Sequence, residues 1–203
     1  MKIICIGRNY YEHTKELKNA VPLEPVIFLK PDSAILRNNQ PFFIPDFSKN
    51  LHYEVEIVFK ICKVGKTISL QFAHRYYDNI GIGIDFTARD LQEKCSTQGL
   101  PWEISKAFDS SAAISKFLPK TEFENIGNIN FSLLINGKQV QLGNTSNMIF
   151  PIDKIIAYIS KFFTLKTGDL IYTGTPAGVG PVKSGDNLQA FIGERKMMDF
   201  YIR

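Results

Sequence analysis

The sequence predicts an α+β fold that is mainly β, with a mixed or antiparallel sheet and a few helices packed outside it. Three observations carry this expectation. Strand-like runs outnumber helical ones along the 203 residues. They follow one another as hairpins rather than as regular βαβ units. Helical spacing is confined to a few short segments, of which "PIDKIIAYISKFF" is the clearest.

Taken in order, Lys2 to Ile6 reads as a short buried strand. "NYYEHTKELKNA", residues 9–20, reads as a short helix or structured loop stopped by Pro22 and Pro25. "VIFLK", residues 26–30, is a strand ended by Pro31, and residues 31–50 read as turns with short strands around Pro31, Pro41 and Pro45. Leu51 to Ile61 is a strand. "SLQFAHRYYDNI", residues 69–80, is compatible with a helix, and "GIGID" with a glycine-bearing strand end. A helix starts in "TARDLQEKC", where Thr87 and Asp90 match the capping pattern S/T-x-x-D/E. Residues 129–142 form a hairpin about Asn136-Gly137, a strong two-residue turn signal. Residues 151–163 form a helix with Pro151 in its first turn and Ile152, Ile155, Ile156, Ile159 and Phe163 as its apolar stripe. "DLIYTG" and "NLQAFIG" are buried strands. No repeat, low-complexity segment or linker divides the chain, so one domain over residues 1–203 is expected.

Composition narrows the function classes. Hydrophobic residues make up 44% and charged residues 22%, the balance of an ordinary globular chain with a real core. The net charge of +4 comes from scattered lysines without a basic run, which argues against a nucleic-acid partner. Cys5, Cys62 and Cys95 are odd in number and form no CxxC, which argues for reduced thiols and against a disulfide framework or a zinc–thiolate site. The apolar run in "MKIICIGRNY" is too short for a signal peptide or a membrane span. A cytoplasmic protein without a membrane partner is expected.

Three stretches could carry chemistry. In "LHYEVEIVFK", Leu51, Tyr53, Val55, Ile57 and Phe59 share one strand face, and His52, Glu54 and Glu56 share the other. Two readings fit the second face: carboxylates meeting water, or carboxylates sharing a cation. Asp85 stands at a strand end without the capping role given to Asp90. Three such carboxylates would make a hard oxygen site suited to Mg²⁺ or Mn²⁺ rather than zinc or copper. Counting the acids alone, the loaded site would carry about −1. His13 and Glu16 are three apart, hence neighbours on a helix. That spacing fits a carboxylate-oriented general base and equally a surface ion pair. "TGTPAGVGP" lacks the Walker lysine and the chain has no GxGxxG, so nucleotide binding is not supported. Its backbone amides and Thr175 could face a substrate carboxylate, or the loop is a plain turn. Lys106 either binds a substrate carboxylate beside the anionic site or faces solvent.

In this order, "GRNYYEH", "PVIFLKP", "LHYEVE", "DFTARDLQ", "LPWEISKAFD", "INGKQVQ", "NMIFPI" and "TLKTGDLIYTGTPAGVGPV" resemble the fumarylacetoacetate hydrolase family, in particular its small acylpyruvase branch. The matching stretches span nearly the whole chain. The resemblance implies a mixed β-sandwich roll, a homodimer, and Mg²⁺ or Mn²⁺ held by Glu54, Glu56 and Asp85. It puts the family's histidine–glutamate pair on His13 and Glu16, in a lid segment within residues 1–20, and its substrate-side lysine on Lys106. Substrate-binding positions fall on Arg8, Lys30, Gln92 and Thr175. The implied reaction is hydrolysis of the C–C bond of acylpyruvates, 2,4-diketo acids such as fumarylpyruvate or acetylpyruvate. Branches that only isomerise or decarboxylate tend to lack the His–Glu pair, which favours the hydrolase. Oxaloacetate decarboxylation or keto–enol tautomerisation at the same site is the alternative, and a β-rich binding module is the non-catalytic one. Two departures from the family's pattern stand out: Ile84 replaces a residue that is often polar, and residues 37–42 carry fewer glycines. His52 is expected to flank the site without ligating.

Overall fold

The computed structural model describes residues 1–16 and 20–203. Residues 17–19 of the segment expected over residues 9–20 therefore lie outside the described residues. The apolar run near the start is buried on both faces and forms β1 (Ile3–Gly7). α1 (Tyr11–Glu16) follows, and β2 (Val26–Lys30) returns antiparallel along β1 with Ile3 opposite Lys30. Next come β3 (Ile35–Leu36), β4 (Leu51–Tyr53), β5 (Val55–Ile61), β6 (Tyr77–Asp85) and β7 (Thr87–Ala88). α2 (Arg89–Gln98), α3 (Glu103–Lys106), β8 (Ala112–Ile114) and β9 (Leu118–Pro119) complete the first part. The expected hairpin is β10 (Asn130–Ile135) and β11 (Lys138–Asn144), turning on Asn136 and Gly137, both at positive φ. α4 (Ile152–Ile159) buries Ile152, Ile155, Ile156 and Ile159, and Phe163 lies a turn beyond its end. β12 (Leu170–Tyr172), β13 (Gly180–Pro181), β14 (Asn187–Ile192) and β15 (Arg195–Tyr201) close the chain.

The largest sheet runs β2-β1-β12-β5-β6-β8-β3, with β9 paired to β6. It is mixed: β1 with β12 and β3 with β8 are parallel, and the other pairs are antiparallel. A second sheet, β11-β10-β14-β15, and a short third one, β13-β4-β7, wrap a shared core. Ile57, Ile82, Leu133, Ile156 and Leu188 are fully buried there. Each such side chain contributes about 1.5–3 kcal/mol.

Four expectations change. The single strand over Leu51–Ile61 breaks at Glu54, because β4 pairs with β7 and β13 whereas β5 pairs with β6 and β12. At the break, the Val55 N–H donates to Gln141 Oε1 at 2.9 Å in place of a ladder partner. Residues 69–80 are not one helix: a 3₁₀ turn over Leu70–Arg75 gives way to β6, whose Ile80, Ile82 and Ile84 are buried at strand spacing. Thr87 does not cap α2; it is extended in β7 opposite His52, and the N-cap is Ala88. Asp90 instead accepts from Ser48 Oγ (2.7 Å), Lys49 N–H (3.0 Å) and Leu91 N–H (2.9 Å), tying α2 to the loop before β4. The strand β15 was not anticipated. In the glycine-poor segment 37–42, Asn38 and Asn39 take the left-handed conformation that glycine would otherwise supply.

Candidate metal centre and active site

Strand register brings the carboxylates together. In the β5–β6 pair, Val55 lies opposite Ile84 and Glu56 opposite Gly83. Continuing that register puts Glu54 opposite Asp85, whose N–H donates to the Glu54 carbonyl at 2.9 Å. Residues two apart on a strand, or directly opposite across an antiparallel pair, share a face. Glu54, Glu56 and Asp85 therefore converge, each offering an oxygen within 4.8 Å of the others. They are 5%, 2% and 0% exposed, so this is not a wet sheet face.

Cations from three elements brace the acids. Lys106, at the end of α3, is buried rather than solvent-facing. Its Nζ donates to Asp85 Oδ2 (2.7 Å), Glu54 Oε2 (2.9 Å) and Thr87 Oγ1 (2.6 Å). Arg89 Nη2 donates to Glu54 Oε1 (2.6 Å), and its Nη1 donates to Gln92 Oε1. Lys30 does not line the cleft, contrary to expectation. It lies behind Asp85, 2.8 Å from Oδ1, and donates to Ser111 Oγ (2.9 Å) and to the carbonyls of Lys106 and Ser111. There it joins β2, β6 and the loop after α3, with its side chain fully buried.

This wiring polarises the acids. Burial alone would raise the Glu54 carboxyl, but Lys106 and then Arg89 outweigh it and hold the group well below the usual carboxylate range. Glu56 makes no ion pair among the described residues, although the nearby Lys106 charge also favours its ionised form. Burial, then Asp85 and Glu54, push it well above that range against a 2.7 Å bond from the Gly174 N–H and the charge of Lys106. Burial pulls the Lys106 ammonium down, and Asp85 and Glu54 more than reverse this. The three carboxylates are thus balanced by Lys30, Lys106 and Arg89, and a divalent cation among them would bring the centre to +2 rather than −1. The donors suit such an ion. All are hard oxygens, Glu56 has no ion-pair partner among the described residues, and Asp85 Oδ1 faces Lys30 off any hydrogen-bond axis.

On the cleft's other side, α1 presents His13, 4% exposed, with Nδ1 3.1 Å from Glu16 Oε2. With Nδ1–H on the carboxylate, the lone pair sits on Nε2. The Glu16 carboxylate in turn accepts the Gly178 N–H at 3.1 and 3.3 Å. The glycine-rich loop therefore directs two amides at the protein's own acids, Gly174 to Glu56 and Gly178 to Glu16. Both glycines are left-handed, and a Cβ on Gly178 would lie 2.4 Å from the Val140 carbonyl oxygen. Thr175 lines the cleft, its hydroxyl accepting from Gln141 Nε2 at 2.8 Å. Gln141 thus joins this loop to the strand break at Val55, a role for which nothing in its sequence context was a signal.

Arg8 and Gln92 also line the cleft, and Phe28 and Trp102 form an aromatic wall. Empty space there is about 660 Å³, counting the open mouth. Arg8 is left-handed at φ 58°, a conformation that costs a non-glycine residue about 1–3 kcal/mol. The next residue, Asn9, is fully buried and clamped: Nδ2 donates to the carbonyls of Thr173 (2.7 Å) and Phe150 (3.1 Å), and Oδ1 accepts the Phe150 N–H (2.8 Å). His52 turns Nε2 to Asn50 Oδ1 at 2.9 Å and is outside the acid cluster. Arg89 was missed as a site residue, although its i, i+3 spacing to Gln92 was visible.

Residues 2–201 match the family model described as fumarylacetoacetate (FAA) hydrolase C-terminal. The chain belongs to the fumarylacetoacetate hydrolase family and is an enzyme of that family. It is 45% identical over 188 residues to the oxaloacetate tautomerase of Escherichia coli (strain K12), covering 92% of this chain and 86% of that protein. It is 43% identical over 192 residues to the mitochondrial oxaloacetate decarboxylase of Dictyostelium discoideum, covering 94% and 88%. The crystal structure of fumarylpyruvate hydrolase from Pseudomonas aeruginosa, in complex with Mn²⁺ and pyruvate, matches with a TM-score of 0.94 at 33% identity, covering 100% of this chain and 89% of that one. The two sequence relatives carry the names of the alternative expectation, keto–enol or decarboxylase chemistry on oxaloacetate. The hydrolase expectation draws on the structural neighbour at lower identity. No helix among the described residues is long and apolar enough to cross a membrane.

Proposed function

We propose that this chain acts on oxaloacetate, interconverting its keto and enol forms and releasing CO₂ from it as a slower side reaction, with Mg²⁺ or Mn²⁺ held by Glu54, Glu56 and Asp85. The observation that carries this reading is the charge of the centre. Acids balanced by three cations, plus a divalent ion, suit a small dianion such as a 2-keto dicarboxylate. A bound dication would supply Lewis-acid stabilisation of charge developing on the 2-keto oxygen. Lys106, between Glu54 and Asp85, adds a fixed positive charge beside that oxygen. His13, its tautomer held by Glu16, takes the C3 proton on Nε2 and delivers a proton to the enol oxygen. CO₂ release breaks C3–C4 and leaves the electron pair in the enolate, so it needs no base. In the same reading the chain is one catalytic domain over residues 1–203, with the His13 segment as its lid, and works as a homodimer.

The His13–Glu16–Gly178 chain of contacts favours a second reading, acylpyruvate hydrolysis, in which His13 takes a proton from the attacking water. One assay separates the two. With Mn²⁺ present, the ultraviolet absorbance of enol oxaloacetate should relax faster than the spontaneous rate, with pyruvate accumulating more slowly. Acetylpyruvate should be cleaved more slowly still. Rapid cleavage of acetylpyruvate to stoichiometric pyruvate, with no effect on enol oxaloacetate, would replace the first reading by the second.

A further inference from the structure

We infer that a cavity at the far end of the largest sheet, lined by Arg37, Lys60 and Lys116, binds a phosphorylated small molecule with an aromatic body, about the size of a nucleoside diphosphate. The site is separate from the acid cleft and does not depend on the oxaloacetate reading. The three cations are far apart in the sequence, and the fold gathers them. Arg37 directly follows β3, Lys60 lies near the end of β5, and Lys116 follows β8. In the β12–β5 pair Lys60 stands opposite Leu170, another wall of the cavity. Glu56 and Lys60 lie on the same face of β5, four residues apart. That is roughly 13 Å along the strand, more than a Debye length at physiological salt.

The cavity has positive charge without a counter-charge. Among the described residues no acid lines it. None of the three cations is in an ion pair there. Asp169, between the lining residues Gly168 and Leu170, is 1% exposed and paired with Lys2 at 2.5 Å. Lys60 is half-buried. Like charges gathered in this way repel, and a bound anion relieves the repulsion. The rest of the wall includes Ile114, Phe117 and Leu170. Phe117 is seated over Gly81, where a Cβ would lie 3.1 Å from its ring, and Lys60 Nζ is 5.7 Å from the ring centroid. The Arg37 turn is also held: the Arg37 carbonyl accepts the Gln40 N–H at 3.1 Å, and Asn39 Oδ1 accepts the Asp199 N–H of β15 at 3.1 Å. Empty space is about 1400 Å³ counting the open mouth, against about 660 Å³ for the acid cleft. Small-molecule pockets typically hold about 300–1,000 Å³. An inorganic anion alone would leave the apolar wall unused. Phosphate oxygens accept charge-assisted bonds from the two ammonium groups and the guanidinium fork. An aromatic body then packs on Phe117.

Calorimetry on the full chain holding its Mn²⁺, without free ion, tests this with ADP as the probe and pyrophosphate and adenosine as its two parts. One ADP should bind per chain, more weakly as salt rises. Pyrophosphate and adenosine should each bind more weakly than ADP. Lys60→Met keeps the packed stem and loses the charge, and Lys116→Met changes an exposed side chain, so both should fold. Each should lose roughly tenfold or more in ADP affinity with Mn²⁺ affinity unchanged, and Lys60→Arg should keep most of the ADP affinity. No ADP binding, or wild-type ADP affinity in either methionine variant, would overturn the site. Pyrophosphate binding as tightly as ADP would overturn the aromatic part of the ligand.

Discussion

His13→Gln is expected to lower oxaloacetate tautomerisation about 10²–10⁴-fold, the usual size of a general-base effect, while CO₂ release falls far less. His13 is nearly buried, and its Nδ1 is fixed on Glu16, which is itself fixed by Gly178. This leaves Nε2 as a preset proton carrier at the cleft. Glutamine keeps a polar side chain of similar reach but carries no basic nitrogen. In the proposed reading decarboxylation would draw on a bound dication and Lys106 but abstracts no proton, so it should lose only what would depend on closure of the His13 segment. Both kcat/KM values should be measured on one preparation of the variant. Equal losses would mean that His13 acts through closure or binding, and the proton-transfer role would have to be abandoned.

Lys106→Met is expected to be the most destabilising change at the site. Its ammonium is shared by Glu54, Asp85 and Thr87, all buried. Removing it leaves Glu54 with Arg89 alone and Asp85 with Lys30 alone, so one buried negative charge goes uncompensated, which typically costs about 3–5 kcal/mol. For a chain of this size that is a fall of roughly 6–20 °C in Tm. A divalent ion among the same oxygens would replace the missing positive charge. Thermal unfolding with and without Mn²⁺ should therefore show a large deficit in metal-free protein and a smaller one in loaded protein. The same deficit in both would mean that the lysine and the ion do not share these carboxylates.

Local patterns in the sequence were legible and distant ones were not. β2 sits between Pro25 and Pro31, the hairpin turns on Asn136-Gly137, and the isoleucine stripe of α4 has helical spacing. Each depends on neighbours a few residues away. The same holds for Glu54 and Glu56 at strand spacing and for His13 and Glu16 at helical spacing. The break at Glu54 was hidden because it depends on Gln141, which lies on another sheet. Thr87 matched a capping pattern, but pairing with His52 makes it a strand residue and Lys106 takes its hydroxyl. Lys30 was placed in the right neighbourhood, yet which side of Asp85 it occupies is set by how β2 and the Ser111 loop pack. The charge of the centre was misjudged for the same reason, since Lys30, Lys106 and Arg89 arrive from three separate elements. The choice between hydrolase and tautomerase was not decided by the His13–Glu16 pair. One proton carrier serves either water or a C–H bond.

Metal-stripped protein titrated with Mn²⁺, with binding and oxaloacetate tautomerisation read on the same samples, addresses whether Glu54, Glu56 and Asp85 hold the ion on which the chemistry depends. Glu56→Gln belongs beside the wild type, because its side chain is nearly isosteric and its one bond, from the Gly174 N–H, can persist to the amide oxygen. The expected result is one ion per chain, activity rising in step with occupancy, and a folded Glu56→Gln protein that binds Mn²⁺ far more weakly. Full activity in the presence of a chelator, or wild-type Mn²⁺ affinity in Glu56→Gln, would contradict it.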